Sequence, residues 1–260
     1  MKIATWNVNS IRARHTRVLE WIRAQRPDVL CLQETKVTDA DFPTEEFRAL
    51  GYHMAVHGQK TYNGVAILAG APLVDVVPGF DDGVEDQEAR LLGASAGGVR
   101  VYSLYVPNGK IVGSAAYAAK LLWLERVRGL LARRHRPTEL LALCGDFNIA
   151  PEERDVHDPA FWQGQVLFHP TARQALGRLC EFGLVDTLRL HHAEGGLYSW
   201  WDYRQLAFPK NAGVRIDHVL ASRALAERCQ DAWIDREARK GPTPSDHAPV
   251  VAVFDLPPAG

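Results

Sequence analysis

Short segments of strand length, apolar or alternating in polarity, recur along the whole chain. We interpret as strands the segments "KIATWNV", "DVLCLQE", "HMAVHG", "GVAILA", "GVRVYSLYV", "ELLALCGDF", "LYSWWDY", "VRIDHVLAS" and "APVVAVFDL". Helical periodicity is rarer, so the strands do not alternate regularly with helices. This pattern favours a packed pair of sheets with helices outside, an α/β sandwich, over a sheet of parallel strands that are each followed by a helix.

Helices are predicted over residues 12–25, 115–134 and 172–182. The first places Val18, Leu19 and Ile22 on one face. The third is followed by Gly183, the residue type that commonly ends a helix. The second helix is predicted to present a continuous apolar face that consists of Leu121, Leu122, Leu124, Val127, Leu130 and Leu131.

Composition limits the classes of partner. The 260 residues carry a formal net charge of -1, so the protein as a whole has no general attraction for nucleic acid or for anionic membranes, and polyanion binding requires a local patch.

The four cysteines lack the spacing of a metal site, and Cys31 and Cys144 lie inside apolar segments, which predicts reduced thiols. With no signal-peptide pattern and no apolar run of roughly 18 residues, we expect a cytoplasmic protein. No linker or repeat divides the chain, which predicts one domain over residues 1–260.

Polar residues gather where the predicted strands end or begin. If these termini share one edge of the packed sheets, their side chains converge although they are scattered in sequence. Asp146 and Asn148 are two apart, so in an extended chain both would face the same side. His218, which neighbours Asp217, is interpreted as a structural histidine. The converging set consists of Asn7, Glu34, Tyr105, Asp146, Asn148, Asp217, Asp246 and His247.

The chemistry of this set is restricted. Carboxylate and amide oxygens favour Mg²⁺ or Mn²⁺ over the Cys/His environment of zinc. An Asp beside a His provides proton transfer or charge stabilisation, and an Asn orients a water or an oxyanion. The set therefore suits metal-assisted phosphoryl transfer. For each residue taken alone, a turn cap or a solvent ion pair is the preferred interpretation, and only the recurrence of six or more at equivalent strand termini favours a site.

An ordered set of motifs resembles the exonuclease III family of DNA-repair nucleases. They are "TWNVNSIRAR", "LCLQETK", "QKTYNGVAIL", "YVPNG", "GDFNIAP", "YSWWDYR", "RIDHVLAS" and "PSDHAPV", and they extend from residue 1 to about residue 255. The resemblance implies the endonuclease/exonuclease/phosphatase fold, a four-layered α/β sandwich. It also implies Mg²⁺-dependent cleavage of double-stranded DNA by a monomer, with Mn²⁺ able to substitute. The implied activities are incision 5′ of abasic sites, 3′ to 5′ exonuclease action and removal of 3′-blocking groups.

The same resemblance implies roles for the converging residues. Glu34 is similar to the principal metal ligand, Asp146 to the residue that positions the attacking water, and Asn148 to one that binds the scissile phosphate. Asp217 would orient His247, which stabilises phosphate charge or acts as base, and the number of metals stays open. The implied catalytic residues are Tyr105, Asp146, Asn148, Asp217 and His247, and the implied metal site consists of Asn7, Glu34, Asp146, Asn148, Asp246 and His247.

DNA contacts are expected from short loops rather than from a basic stripe. The resemblance places Trp200 against the deoxyribose of an abasic site, with Trp201 as a second candidate. Strand alternation would put Tyr198 and Trp200 on one face, and Trp201 and Tyr203 on the other. The predicted DNA-binding residues are Lys60, Tyr62, Asn63, Arg90, Lys120, Trp200, Arg204, Phe208 and Lys210.

One segment departs from the family pattern. Residues 164–173, "GQVLFHPTAR", carry bulky side chains where the family usually has small or polar ones. Bulk there would narrow the sugar pocket and weaken abasic-site incision, whereas inward-facing side chains would change nothing. Two further alternatives are a phosphodiesterase of the same fold that acts on RNA, phosphoinositide or sphingolipid, and a non-catalytic relative that binds nucleic acid or protein.

Overall fold

Two six-stranded sheets lie face to face between two layers of helices. The structure is a computed structural model and describes residues 1–257. The predicted α/β sandwich is therefore confirmed. The last three residues of the predicted domain, 258–260, lie outside the described residues, and the assignment of a single domain remains a prediction. No helix within residues 1–257 is long and apolar enough to cross a membrane.

The strands are β1 (Lys2–Asn7), β2 (Val29–Gln33), β3 (His53–His57), β4 (Val65–Ala69), β5 (Val74–Pro78), β6 (Leu91–Ala96), β7 (Val99–Tyr105), β8 (Leu141–Asp146), β9 (Leu184–Asp186), β10 (Asp217–Ser222), β11 (Cys229–Ile234) and β12 (Val250–Phe254). The α-helices are α1 (Ile11–Gln25), α2 (Thr44–Ala49), α3 (Ala115–Arg134), α4 (Pro159–Trp162), α5 (Pro170–Cys180), α6 (Thr187–His191) and α7 (Arg223–Ala226). The sheet orders are β11-β12-β1-β2-β4-β3 and β5-β6-β7-β8-β10-β9. Only β1 with β2 and β7 with β8 pair in parallel among the strands of residues 1–257.

Strand β8 illustrates why the central strands are apolar on both faces. Leu141 and Leu143 pack under α3 and α5, whereas Ala142 and Cys144 point into the core between the sheets. A strand covered on both sides needs a continuous apolar run rather than alternation. The central strands of the two sheets, β1 and β8, lie against each other and bring their ends together.

The helix predictions are close to the observed bounds. Helix α1 begins one residue earlier than predicted, after Ser10, whose side chain accepts a hydrogen bond from the Ala13 amide. Helix α3 has the predicted bounds, but Leu122 is 67% exposed, so its assignment to the apolar face is wrong. Helix α5 begins two residues early because Pro170 occupies its first turn and His169 caps it.

The strand predictions fail in two ways. The sequence pattern missed β5, β6, β9 and β11, of which β5 lies at an edge and is mostly exposed. In contrast, "LYSWWDY" is not a strand, because Trp200 makes only isolated bridges to Val214 and His247. The predicted alternation is therefore wrong: Tyr198 and Trp201 are both buried, and Tyr203 is exposed.

Candidate active site

Strand register gathers the predicted residues at one edge of the sandwich. Tyr105 lies opposite Asp146 in the β7–β8 pair, and Asp146 lies opposite Asp217 in the β8–β10 pair. From the other sheet, Asn7 at the end of β1 donates from Nδ2 to Glu34 Oε1 at 2.7 Å and to Asp146 Oδ2 at 3.0 Å. One buried amide thus connects the two sheets at this edge.

The segment after β8 turns at once. Asn148 has φ 51°, and its backbone N–H donates to Asp146 Oδ1 at 2.8 Å. The expectation that Asp146 and Asn148 share a face because the chain is extended is therefore wrong; a tight Asx turn brings them together instead. Asn148 Nδ2 donates to the Val106 carbonyl, and Asn148 Oδ1 accepts from Asn108 Nδ2.

Gly145 permits a close approach of strands rather than a turn. A Cβ at this position would lie 1.9 Å from the Leu104 carbonyl oxygen, a distance that no side chain allows. Its neighbour Asp146 is thereby held against β7.

His247 and Asp217 form a buried pair. The His247 Nδ1 to Asp217 Oδ2 distance is 2.8 Å, and His247 Nε2 lies 3.8 Å from Asp146 Oδ2. Burial lowers the pKa of His247, but Asp217 and then Asp146 outweigh it and raise that pKa to about 10. Burial, with the charges of Asp217 and Glu34, raises the pKa of Asp146 to about 7. A protonated imidazole therefore lies among carboxylates.

Backbone contacts fix both members of this pair. Ser199 Oγ accepts from the N–H groups of Ile216 and Asp217, each at 3.0 Å. Ser245 Oγ donates to the Asn7 carbonyl and accepts from the His247 N–H. His218 is buried, contacts Arg215 and the Ile149 carbonyl, and does not face the cluster, as the structural interpretation predicts.

The residues present fit a divalent cation. Glu34, Asp146 and His247 offer ligand atoms that all lie within 4.8 Å of one another. In addition, Asp217 Oδ1 is buried without a hydrogen-bond partner among residues 1–257, so the carboxylate that pairs with His247 keeps unused acceptor capacity. The predicted ligand Asp246 lies outside this group of three acidic and imidazole groups. Asp246 accepts from Asn9 Nδ2 and from Trp200 Nε1, each at 3.0 Å.

Tyr105 lies beside the carboxylates. Burial, followed by the charges of Glu34 and Asp146, raises the pKa of its hydroxyl well above the usual range. The hydroxyl is therefore a donor at neutral pH. Arg90 lies 4.6 Å from the Tyr105 ring centroid and pairs with Glu88, so it contacts the site through Tyr105.

Two predicted DNA contacts, Lys120 and Asn63, are not available at the surface, and a third, Phe208, is only partly so. Lys120 is fully buried, and its Nζ donates to the carbonyl oxygens of Asn108 and Asn148 at 3.1 and 2.7 Å, so the prediction that it contacts DNA phosphate is wrong. Asn63 is 5% exposed and bonded to Gln59. Phe208 is half-buried and packs edge-on against Trp201. The remaining loop candidates are exposed: Lys60, Tyr62, Arg204 and Lys210.

Trp200 and Trp201 occupy different environments. Trp201 is fully buried and donates to Asn211 Oδ1, so its assignment to a sugar pocket is wrong. Trp200 is half-buried at the site. Its apolar neighbours include Leu167 and Phe168, which are themselves buried, so the bulky segment faces inward. His169 of that segment caps α5 and bonds to the Tyr117 hydroxyl.

Helix α4 contributes aromatic residues that the sequence analysis missed. Trp162 lies edge-on to Trp200 with ring centroids 6.4 Å apart, and Phe161 is 59% exposed. These residues line a cavity of about 570 Å³ together with Arg204 and Lys210. The sequence signal that could have identified this helix is "DP" followed by "AFW", because Asp158 caps the helix and Pro159 occupies its first turn.

Known proteins resemble the chain over nearly its full length. The Endonuclease/Exonuclease/phosphatase family matches residues 4–247. Exodeoxyribonuclease III of Haemophilus influenzae is 36% identical over 266 residues, which cover 98% of this chain and 100% of the relative. An AP endonuclease structure from Archaeoglobus fulgidus is 43% identical with a TM-score of 0.96. The 3′ phosphatase NExo from Neisseria, bound to a product DNA hairpin, is 39% identical with a TM-score of 0.94. Both structures are covered completely and cover 98% of this chain.

Proposed function

The chain belongs to the Endonuclease/Exonuclease/phosphatase family and is a DNA-acting hydrolase of the exonuclease III type; from this premise we propose a Mg²⁺-dependent DNA-repair phosphodiesterase. It cleaves 5′ of abasic sites, degrades duplex DNA from 3′ ends and removes 3′-blocking groups, as a cytoplasmic monomer. Mn²⁺ substitutes for Mg²⁺. The observation that carries the proposal is the group Glu34, Asp146 and His247, the last two of them buried, with Asp217 hydrogen-bonded to the imidazole.

Glu34 and Asp146 are the residues that would hold the cation, because His247 with both ring nitrogens protonated has no lone pair to offer it. When bound, the cation neutralises charge that develops on the phosphate oxygens. Glu34 is anchored for this task by Asn7 and by Lys36, whose Nζ lies 2.8 Å from Glu34 Oε2.

Asp146 positions the attacking water and accepts its proton. Its Oδ1 accepts from the Asn148 N–H at 2.8 Å and its Oδ2 accepts from Asn7 Nδ2 at 3.0 Å, which fixes the orientation of this proton acceptor. The water oxygen bonds to phosphorus as the bond from phosphorus to the 3′ oxygen breaks, and Tyr105 donates a hydrogen bond to that oxygen or to the phosphate. Asn148 contacts the phosphate without adding charge.

His247 acts as a cation rather than as a base. Asp217 accepts from its Nδ1–H at 2.8 Å, and the raised pKa keeps both ring nitrogens protonated at neutral pH. A protonated imidazole stabilises negative charge on the phosphate as the transition state forms.

DNA contacts come from the exposed loop residues Lys60, Tyr62, Arg204 and Lys210. Trp200 contacts the sugar beside the scissile phosphate, because its indole N–H is tied to Asp246, next to His247. Arg90 supports the Tyr105 ring instead of contacting the DNA backbone directly.

A second candidate is a 3′-end enzyme with weak abasic-site incision. The observation that favours it is Trp162, whose ring lies edge-on to the Trp200 indole with ring centroids 6.4 Å apart. The fully covered Neisseria relative is described as a 3′ phosphatase. The two candidates share chemistry and differ in which sugar the site admits.

Three duplexes test these proposals: one with an internal abasic analogue, one with a recessed 3′ end and one with a 3′ phosphate. Each is incubated with Mg²⁺, with EDTA, and with the Asp146→Asn variant. We expect metal-dependent cleavage of all three and a loss on the order of 100-fold or more in Asp146→Asn, with Asp231→Asn, an exposed carboxylate on β11, as matched control.

The outcomes separate the candidates. Loss of only the abasic-site product supports the 3′-end enzyme. If no duplex is cut, while RNA or a phosphoinositide is, the DNA assignment is wrong. Absence of cleavage with undiminished DNA binding would identify a non-catalytic relative. Normal cutting by Glu34→Ala at low Mg²⁺ would contradict the metal assignment.

A further inference from the structure

Asn9 lies in a strained backbone segment beside the site. Asn9 has φ 45° and Ser10 has φ 90°, two successive residues other than glycine in a left-handed conformation. Such conformations cost on the order of 1–3 kcal/mol each and persist where the surroundings determine them. Here the Ser10 N–H donates to the Glu34 carbonyl, and Arg14 Nη1 donates to the Asn9 carbonyl, each at 2.7 Å. These contacts hold the strained backbone, and the backbone sets the direction of the Asn9 side chain.

That side chain connects two parts of the site. Lys36 Nζ, which is paired with Glu34, donates to Asn9 Oδ1 at 2.6 Å. On the other side, Asn9 Nδ2 donates to Asp246 Oδ1 at 3.0 Å. Asp246 Oδ2 then accepts from Trp200 Nε1 at 3.0 Å. An uninterrupted polar chain thus extends from Glu34 to the Trp200 indole.

The middle of this chain must be a group that both accepts and donates, as an amide does. The Lys36 ammonium can only donate and the ionised Asp246 carboxylate can only accept, so the group between them must accept on one side and donate on the other. An aspartate at position 9 would keep the Lys36 contact but would face Asp246 with like charge. An alanine would leave both neighbours without this partner.

We propose that Asn9 is a positioning residue that couples the carboxylate end of the site to the orientation of Trp200. Asn9 contacts neither DNA nor the reacting atoms; it acts through Asp246, which holds the indole. The inference rests on the proposed function, because the readout is the contact of Trp200 with the sugar. Disrupting Asn9 should therefore weaken binding of DNA even when no cation is bound.

Exchanging the two side chains provides the test. In Asn9→Asp combined with Asp246→Asn, the carboxylate introduced at position 9 would accept from Lys36 and from the amide introduced at position 246, whose oxygen would accept from Trp200. All contacts are restored with the net charge unchanged. We measure Kd for a duplex with an abasic analogue by fluorescence anisotropy in EDTA, which removes cation binding and cleavage. Gln230→Glu, on the exposed far end of β11, controls for the added negative charge of Asn9→Asp.

We expect each single variant to raise Kd about 5- to 20-fold, and the double variant to return within about threefold of wild type. Gln230→Glu should leave Kd unchanged. A double variant whose loss equals the product of the single losses would overturn the coupling. So would single variants that lower the melting temperature but not the affinity, because that pattern belongs to a purely structural role. If wild type itself does not bind the duplex, the proposed function fails first.

Discussion

The strand-end cluster and the loops that we propose to contact DNA are built in opposite ways. In the cluster, Asn7, Asp146, Asp217 and His247 are each at most 5% exposed and are held by identified partners. In the loops 58–64 and 202–212, Tyr62 is 68% exposed and Arg204 carries an 83% exposed side chain. The proposed function thus assigns the chemistry to buried groups with fixed partners and DNA binding to exposed groups.

Strand register explains how the strand-end cluster, which is the buried half of the site, is fixed. The position of a side chain at a strand end is set by the backbone hydrogen bonds of the sheet. Strand pairing alone therefore aligns Tyr105, Asp146 and Asp217. The loops have no ladder. Several of their residues adopt positive φ, among them Thr61, Gln205 and Leu206, and no strand pairing aligns their exposed side chains.

The largest effect should come from the buried half, at Asp217. Asp217→Asn keeps the shape but removes the charge that stabilises protonated His247. We expect kcat for the recessed 3′-end duplex to fall about 10²- to 10³-fold, the range found when one stabilising group of a transition state is lost. Single-turnover rates check this, and circular dichroism checks that the variant is folded. A decrease under about threefold would show that the cluster tolerates rearrangement and would break the contrast with the loops.

A smaller effect is expected from Lys120, which the buried half uses as a support. Burial lowers the pKa of Lys120 from its ordinary value of 10.5 to about 7 in the folded state. Below pH 7 the lysine is charged in both states, and the folded state bears the full desolvation penalty. As pH rises from 7 toward 10.5, the unfolded state binds more protons than the folded state, so stability rises. Above 10.5 the difference stops changing.

The measurement is the free energy of unfolding by urea, in EDTA, for wild type and Lys120→Met at about pH 7 and pH 10. The stability of wild type minus that of the variant should grow by on the order of 3–5 kcal/mol over this window. Other titrating groups are common to both proteins and cancel. A pH-independent difference would mean that Lys120 has an ordinary pKa and is less enclosed than the cluster around it.

The sequence predicted the buried half of the site well and the exposed half poorly. Strand-end positions can be predicted from sequence because apolar runs indicate strands, and polar residues at the ends of packed strands share one edge. This reasoning grouped Asn7, Asp146, Asp217 and His247 correctly. Their local geometry could not be predicted, because the turn at Asn148 depends on a left-handed φ that the two-residue spacing of Asp146 and Asn148 does not indicate. Lys120 and Trp201 were misassigned because a basic or aromatic residue looks the same in sequence whether it faces DNA or the core.

The smallest effect is expected at the loop surface, at Lys210. The residue is exposed at the rim of the cavity beside Trp200, so Lys210→Ala should change the free energy of unfolding by less than about 0.5 kcal/mol. Loss of one phosphate contact should raise Kd a few-fold and reduce the slope of log K against log salt by roughly 1. Arg133→Ala, which removes an equal charge from the exposed face of α3, is the matched control. Equal slopes for the two variants would mean that overall charge, not a loop contact, sets the affinity.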